Sequence, residues 1–243
     1  MTAQQLTDQL RAACGERLRS VVLYGSAAAG DHTGKRSDYN VLVVLDQFGL
    51  DELKALSKIT RSWVKAGNPA PLLFTKERLA KSTDVFAIEI SDIKRSHKVL
   101  FGEDPVSTLT VHEENLRWQL ESELKSMMIG LRQRYLLTSG KPRHVKELLT
   151  QSLTTCLVLF RAALGLYQSD VPTRKLDALM ALAKHVPLDT RPFETIEQLK
   201  RGRKVPGVVP DELFADYLRM TEAVVDAVDD FLHSKVERGG NTS

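Results

Sequence analysis

The sequence predicts an α+β protein in two parts: residues 1–108 mix short strands with helices, and residues 109–243 are helical throughout. Three observations carry this. Two short apolar runs, Val21–Tyr24 and Val41–Leu45, flank a polar, glycine-containing loop and read as strands, being too short for helices. From about Thr110 onward the apolar residues recur at spacings of three and four, the period of an amphipathic helix. Between these regimes Gly102-Glu103-Asp104-Pro105 closes the first part with turn residues.

Taken in order, Leu6–Leu18 reads as an amphipathic helix leading into a strand over Arg19–Tyr24. After the second strand, Leu53, Leu56, Ile59 and Trp63 repeat at helical spacing within Asp51–Ala66, and Asp51-Glu52 suit the positive end of that helix. Gly67-Asn68-Pro69 ends it. Pro71–Thr75 is a third strand, a helix begins at Lys76-Glu77-Arg78-Leu79, Thr83-Asp84 caps a segment through Ile93, and Lys98–Phe101 is the last strand. In the second part Leu116, Leu120, Leu124, Met127, Met128 and Leu131 give a helix to about Leu137, and Ser139-Gly140-Lys141-Pro142 stops and restarts the chain. Val145–Leu166 is apolar on several sides, which predicts a central, buried helix. Helices over Arg174–His185, Pro192–Arg201 and Asp211–Val236 complete the expectation, and Gly239–Ser243 reads as a frayed tail.

At 243 residues the chain is long enough to bury a sizeable core. No uninterrupted apolar run approaches the ~18 residues of a membrane span, and the first residues carry no signal-peptide core, so no membrane partner is expected. Cys14 and Cys156 fall in different halves without metal-ligand spacing, which reads as reduced thiols of a cytoplasmic protein. The net charge is +3 and the positive residues are scattered, so a nucleic-acid partner is not indicated. The one dense basic run, Lys200-Arg201-Gly202-Arg203-Lys204, reads as a solvated loop.

The chemistry concentrates in one stretch. The first apolar run ends in Gly25-Ser26, and after eleven further residues Asp38-Tyr39-Asn40-Val41 opens the second strand. The layout resembles the phosphate loop and metal strand of the nucleotidyltransferase superfamily, the fold related to DNA polymerase beta and to the aminoglycoside nucleotidyltransferases. The resemblance covers about residues 15–105 and implies an N-terminal mixed sheet with helices followed by a C-terminal helical bundle. It implies nucleotide binding at Gly25 and Ser26, Asp38 as a ligand of Mg2+, and Asp38 with the residue two further on as the catalytic pair.

The residue types explain why. Nucleotidyl transfer builds charge on phosphoryl oxygens, which metal ions and positioning groups neutralise. Acids at i and i+2 of a strand point to one face and so share a cation. In the family the second position is Asp or Glu, but here it is Asn40, which keeps the geometry and loses the charge. The family's third acid, the general base, falls on the next core strand, and in Pro71-Leu72-Leu73-Phe74-Thr75 its place is taken by Leu72. Glu89, in Phe86-Ala87-Ile88-Glu89-Ile90, is the candidate replacement, with Asp92 close behind.

Three functions of different class follow. One is a nucleotidyltransferase using a nucleoside triphosphate and an acceptor that these motifs do not specify, weak or inactive because two acids are replaced. Another is a protein that binds a nucleotide or small molecule without turnover. The third is an interaction module, half of a homodimer or of a toxin–antitoxin-like pair.

Overall fold

The structure, a computed structural model, describes residues 1–28 and 39–239, with backbone alone for Ser26 and residues 232–239. Strands at Leu18–Tyr24 (β1), Asn40–Leu45 (β2), Leu72–Thr75 (β3) and His97–Gly102 (β4) form one sheet in the order β3-β2-β1-β4. β1 runs antiparallel to both β2 and β4, whereas β2 and β3 are parallel, so the sheet is mixed. The α+β class and all four expected strands are present.

Strand alternation sends the apolar residues to two cores. On one face Val21, Leu23, Val41, Val43 and Leu45 pack with helices α1 (Ala3–Cys14) and α2 (Leu50–Lys65) through Leu6, Leu10, Leu56 and Trp63. On the other, Val22, Leu42 and Val44 meet Leu79 of α3 (Lys76–Ala80) and Ile90 and Ile93 of α4 (Ala87–Arg95). Both central strands are therefore covered on both sides, which is why they read as continuous apolar runs rather than alternating ones. The first helix begins three residues earlier than its periodicity suggests. Thr2 accepts the Gln5 N–H while the Gln5 side chain accepts the Thr2 N–H, a reciprocal cap that sets the start, and Gly15 ends the helix at φ +55°.

Trp63 anchors the entrance to β2. Its ring is fully buried, its indole N–H donates to the Pro69 carbonyl at 2.8 Å, and Tyr39 lies against it at 6.1 Å between centroids. Buried Asn68 then bridges the two segments, donating to the Trp63 carbonyl and accepting the Tyr39 N–H at 3.1 Å. Gly67-Asn68-Pro69 thus ends α2 and also positions the residue before Asn40.

The chain divides into two units, Met1–Asn115 and Leu116–Ser243. The second contains most of α5 (Glu113–Leu137), then α6 (Pro142–Tyr167), α7 (Lys175–Leu182), α8 (Arg191–Lys200) and α9 (Pro210–Gly239). α6 is buried from Val145 to Leu166 on nearly all sides, as its composition predicts, and Phe160, Phe193 and Tyr217 stack in sequence to join α6, α8 and α9. By length and composition α6 could cross a membrane, with mean hydropathy 1.4, but 67% of that stretch is buried inside the protein, the burial of a central core helix. The Cys156 thiol lies in this core, and burial pushes its pKa up to about 12, so it stays protonated and inert.

Gly102 closes β4 at φ +78°, and a Cβ there would stand 1.8 Å from the Arg19 carbonyl oxygen of β1. Gly67 has φ +92° with open space around it. Gly67→Ala is therefore expected to cost about 1 kcal/mol of backbone strain, and Gly102→Ala at least about 2 kcal/mol more, because the strand must also move. Urea denaturation of both variants checks this, and equal losses would contradict the close approach of β4 to β1.

Candidate functional site

Of the expected site residues, Gly25, Ser26 and Asn40 lie at one corner of the sheet, where β1 ends and β2 and β4 begin. Tyr24, the last residue of β1, pairs with Asn40 on one side and His97 on the other. Gly25 follows at φ +77°, a conformation that favours glycine, and opens a single 3-10 turn, Gly25–Ala27, that includes the Ser26 backbone. The turn is tied down from the other edge. The Gly25 N–H donates to the Ser96 carbonyl at 3.0 Å, the Ser96 hydroxyl donates back to the Gly25 carbonyl at 3.3 Å, and the Ala28 N–H donates to that same carbonyl at 3.0 Å.

Asn40 faces this turn. Its side-chain nitrogen lies 3.4 Å from the point where a Cβ on Gly25 would sit, so residue 40 is beside the glycine loop as the motif requires. The neutral amide brings no charge to that place. Asp38 lies outside the described residues.

Leu72 stands where a third acid is expected. It pairs with Leu42, two residues beyond Asn40 on the same face, and packs in the apolar cluster of Val22, Leu42 and Ile90. A carboxylate in that setting would need a partner, and the apolar surroundings supply none.

Acids do approach the corner, from α4 rather than from a strand. The alternation around Glu89 is helical: Ile90 and Ile93 point into the core while Glu89 is exposed and Asp92 half-buried. Asp92 holds Arg95 at 2.9 Å. Burial, with the negative field of Glu89 and Asp92 added, pushes the Tyr24 hydroxyl up to about 12. At neutral pH Tyr24 is thus a donor and not a base. His97 is held at both ring nitrogens, against the Ile93 carbonyl and the Asp104 carboxylate, each at 3.0 Å.

Among the described residues, no three His, Cys, Asp or Glu side chains come together as metal donors. Among the described residues, an amide at position 40, a leucine at position 72 and an Asp92 engaged by Arg95 supply less than the hard, charged oxygen set that Mg2+ takes. Two shallow hollows lie elsewhere on the same unit, one beside Arg11 and Phe101 and one between α2 and Leu73.

Sequence reasoning passes over Tyr24 and Ser96. Tyr24 reads there only as the end of an apolar run, and Ser96 carries no motif. Their placement depends on the pairing of β1 with β4, a contact across more than seventy positions that local periodicity does not encode.

A mixed sheet with this turn between β1 and β2, followed by a helical unit, defines the nucleotidyltransferase fold. Comparison with solved structures agrees: the chain superposes on spectinomycin adenyltransferase AAD(9) from Enterococcus faecialis, solved with ATP and spectinomycin, with a TM-score of 0.60 over 93% of this chain and 98% of that one at 13% identity. A toxin–antitoxin protein solved with AMP-PNP aligns over 56% of this chain and 96% of its own at 13% identity, with a TM-score of 0.29 that bears no weight. No family model matches the sequence, and no curated protein matches it. At 13% identity the likeness establishes fold and leaves activity to the residues themselves.

The Tyr24 environment is directly measurable. Its folded pKa of about 12 lies above the ordinary 10.0, so its contribution is complete below about pH 10 and is lost as pH rises from there toward 12, because the unfolded chain ionises first. Glu89→Gln with Asp92→Asn should lower the Tyr24 pKa part of the way toward 10.0, burial accounting for the rest. Ultraviolet titration against Tyr24→Phe reads the shift, and an unchanged value would mean the two acids do not face the hydroxyl.

Proposed function

We propose that this chain is a nucleotide-binding protein built on the nucleotidyltransferase fold, in which Mg2+-dependent nucleotidyl transfer is weak or absent. The observation that carries this is Leu72, an apolar side chain packed beside Leu42 where transfer needs a base. The left-handed backbone at Gly25 and the approach of Asn40 to it support a phosphate-loop reading of this turn. What is replaced is the charge, at residue 40, and the base, at residue 72. In this reading the phosphates sit against the Gly25-Ser26 turn, Asp38 is the one acid of the motif that remains, and ATP is the first nucleotide to test, because AAD(9) was solved with it.

Loss of a general base costs about 10²–10⁴ in rate, and loss of one electrostatic stabiliser about 10²–10³. Together they leave little turnover. Incubation with α-labelled nucleoside triphosphates, Mg2+ and a panel of acceptors (spectinomycin, a protein hydroxyl, RNA) should therefore yield no rapid transfer. Robust Mg2+-dependent transfer to any of them would overturn the proposal.

A catalytic variant of the reading is favoured by one observation, the approach of Glu89 and Asp92 to Tyr24. In it an α4 acid replaces the base, and any transfer activity would fall about 10²-fold or more in Glu89→Gln or Asp92→Asn.

The charge at residue 40 has its own test. Asn40→Asp restores a carboxylate at nearly constant size, two residues from Asp38. Without metal the paired acids repel, so the variant should melt lower than the wild type. Mg2+ or Mn2+ should raise its melting temperature, since a ligand of the native state stabilises it by mass action, and the wild type should respond less. An equal metal response in the two proteins would show that residues 38 and 40 do not share a metal.

A further inference from the structure

We propose that His97 is a proton-operated clamp on the Gly25 turn, closed while both ring nitrogens carry a proton and slackened when one proton leaves. The inference does not rest on the nucleotide reading, and its test uses no nucleotide. Both partners of the ring are acceptors: Nδ1 lies 3.0 Å from the Ile93 carbonyl oxygen and Nε2 lies 3.0 Å from an Asp104 carboxylate oxygen. A neutral imidazole has a single N–H and can serve only one of them, so the two bonds exist together only in the imidazolium. Asp104 has no proton to offer in return. Its other oxygen accepts the Val106 N–H at 2.9 Å and the Ser107 N–H at 3.2 Å. Burial pushes the Asp104 carboxyl up, but the bonds from His97 and Val106 outweigh this and hold it below the usual carboxylate range.

The ring sits where a lost bond is felt. Ile93 carries one of the last four carbonyls of α4, which have no partner inside the helix, and α4 ends at Arg95. The bond from Nδ1 back to Ile93 therefore closes the junction between α4 and β4, and Ser96 stands inside that junction. Ser96 is the residue that holds Gly25, through its carbonyl and its hydroxyl together. When the imidazolium loses a proton, the remaining one stays on Nε2, because a hydrogen bond to a carboxylate is roughly twice as strong as one to a neutral acceptor. Nδ1 then turns a lone pair toward the Ile93 oxygen, and the two repel. The junction slackens, and the grip of Ser96 on Gly25 slackens with it.

The groups around the ring come from four directions. From α4 come Glu89 and the Asp92–Arg95 pair at 2.9 Å. β1 places Tyr24 opposite His97, its hydroxyl pushed up to about 12 by burial and by those two acids. Lys98 follows along β4, and the segment after β4 adds Asp104 and Glu103, the latter held by Lys76 at 3.5 Å. Of these side-chain types only imidazole ordinarily changes charge between about pH 5 and about pH 8.

Nitrogen-15 NMR of the full chain from about pH 5 to about pH 8 is the test. The His97 ring should carry protons on both nitrogens at the acid end and on Nε2 alone at the alkaline end. Over the same titration the protection of the Gly25 amide against hydrogen exchange, corrected for the intrinsic effect of pH, should fall about fivefold, the worth of one net hydrogen bond. Protection of Val22 and Val43 at the centre of the sheet should stay level, which separates a local release from a loss of global stability. His97→Gln, whose amide bonds without titrating, should abolish the step at Gly25. A proton left on Nδ1 at the alkaline end, a Gly25 protection that does not follow the ring, or a His97→Gln protein that keeps the step would each overturn the proposal. The first two readings need only the wild type, so they decide the matter even where glutamine at position 97 disturbs folding.

Discussion

The register of β1 is the constraint on which the N-terminal unit depends, because this strand is paired on both edges and covered on both faces. Sliding it by one residue would exchange Val21 and Leu23 with Val22 and Tyr24, sending each apolar side chain to the wrong core. The same register sets the functional corner. With Tyr24 opposite Asn40 and His97, the chain must turn at Gly25, and the backbone bonds to Ser96 hold that turn against the end of α4. Packing that is purely structural in origin thus determines where the Gly25–Ala27 turn stands.

Gly25, the approach of Asn40 and the parallel pairing of β3 keep the geometry of the nucleotidyltransferase fold at this corner. Substitution of charge is confined to side chains whose removal is energetically mild or favourable. Leu72 in an apolar cluster avoids the cost of an unpaired buried carboxylate.

Much of the fold was legible in the sequence, for reasons visible in particular residues. The runs at Val21–Tyr24 and Val41–Leu45 are short and apolar because both faces are buried, and Gly67-Asn68-Pro69 ends α2 through the positive φ of Gly67 and the proline that follows. Boundaries shifted where capping decides them, as at Thr2, whose reciprocal bonds with Gln5 lie outside the apolar periodicity. The candidate site was only half legible. Gly25, Asn40 and Leu72 follow from strand spacing, while Tyr24 and Ser96 come into play through the β1–β4 pairing, which no local pattern announces. Glu89 shows the limit clearly: its apolar neighbours alternate as in a strand, yet α4 is a helix whose inward residues happen to flank it.

The central claim is that the Gly25–Ala27 turn holds a nucleotide through backbone groups, with little help from a divalent ion. Calorimetric titration of ATP into the full chain, in Mg2+ and in excess chelator, measures this directly. The account predicts binding in both conditions, with dissociation constants within about tenfold of each other, that is about 1.4 kcal/mol. No binding in either condition, or binding that requires Mg2+, would contradict it.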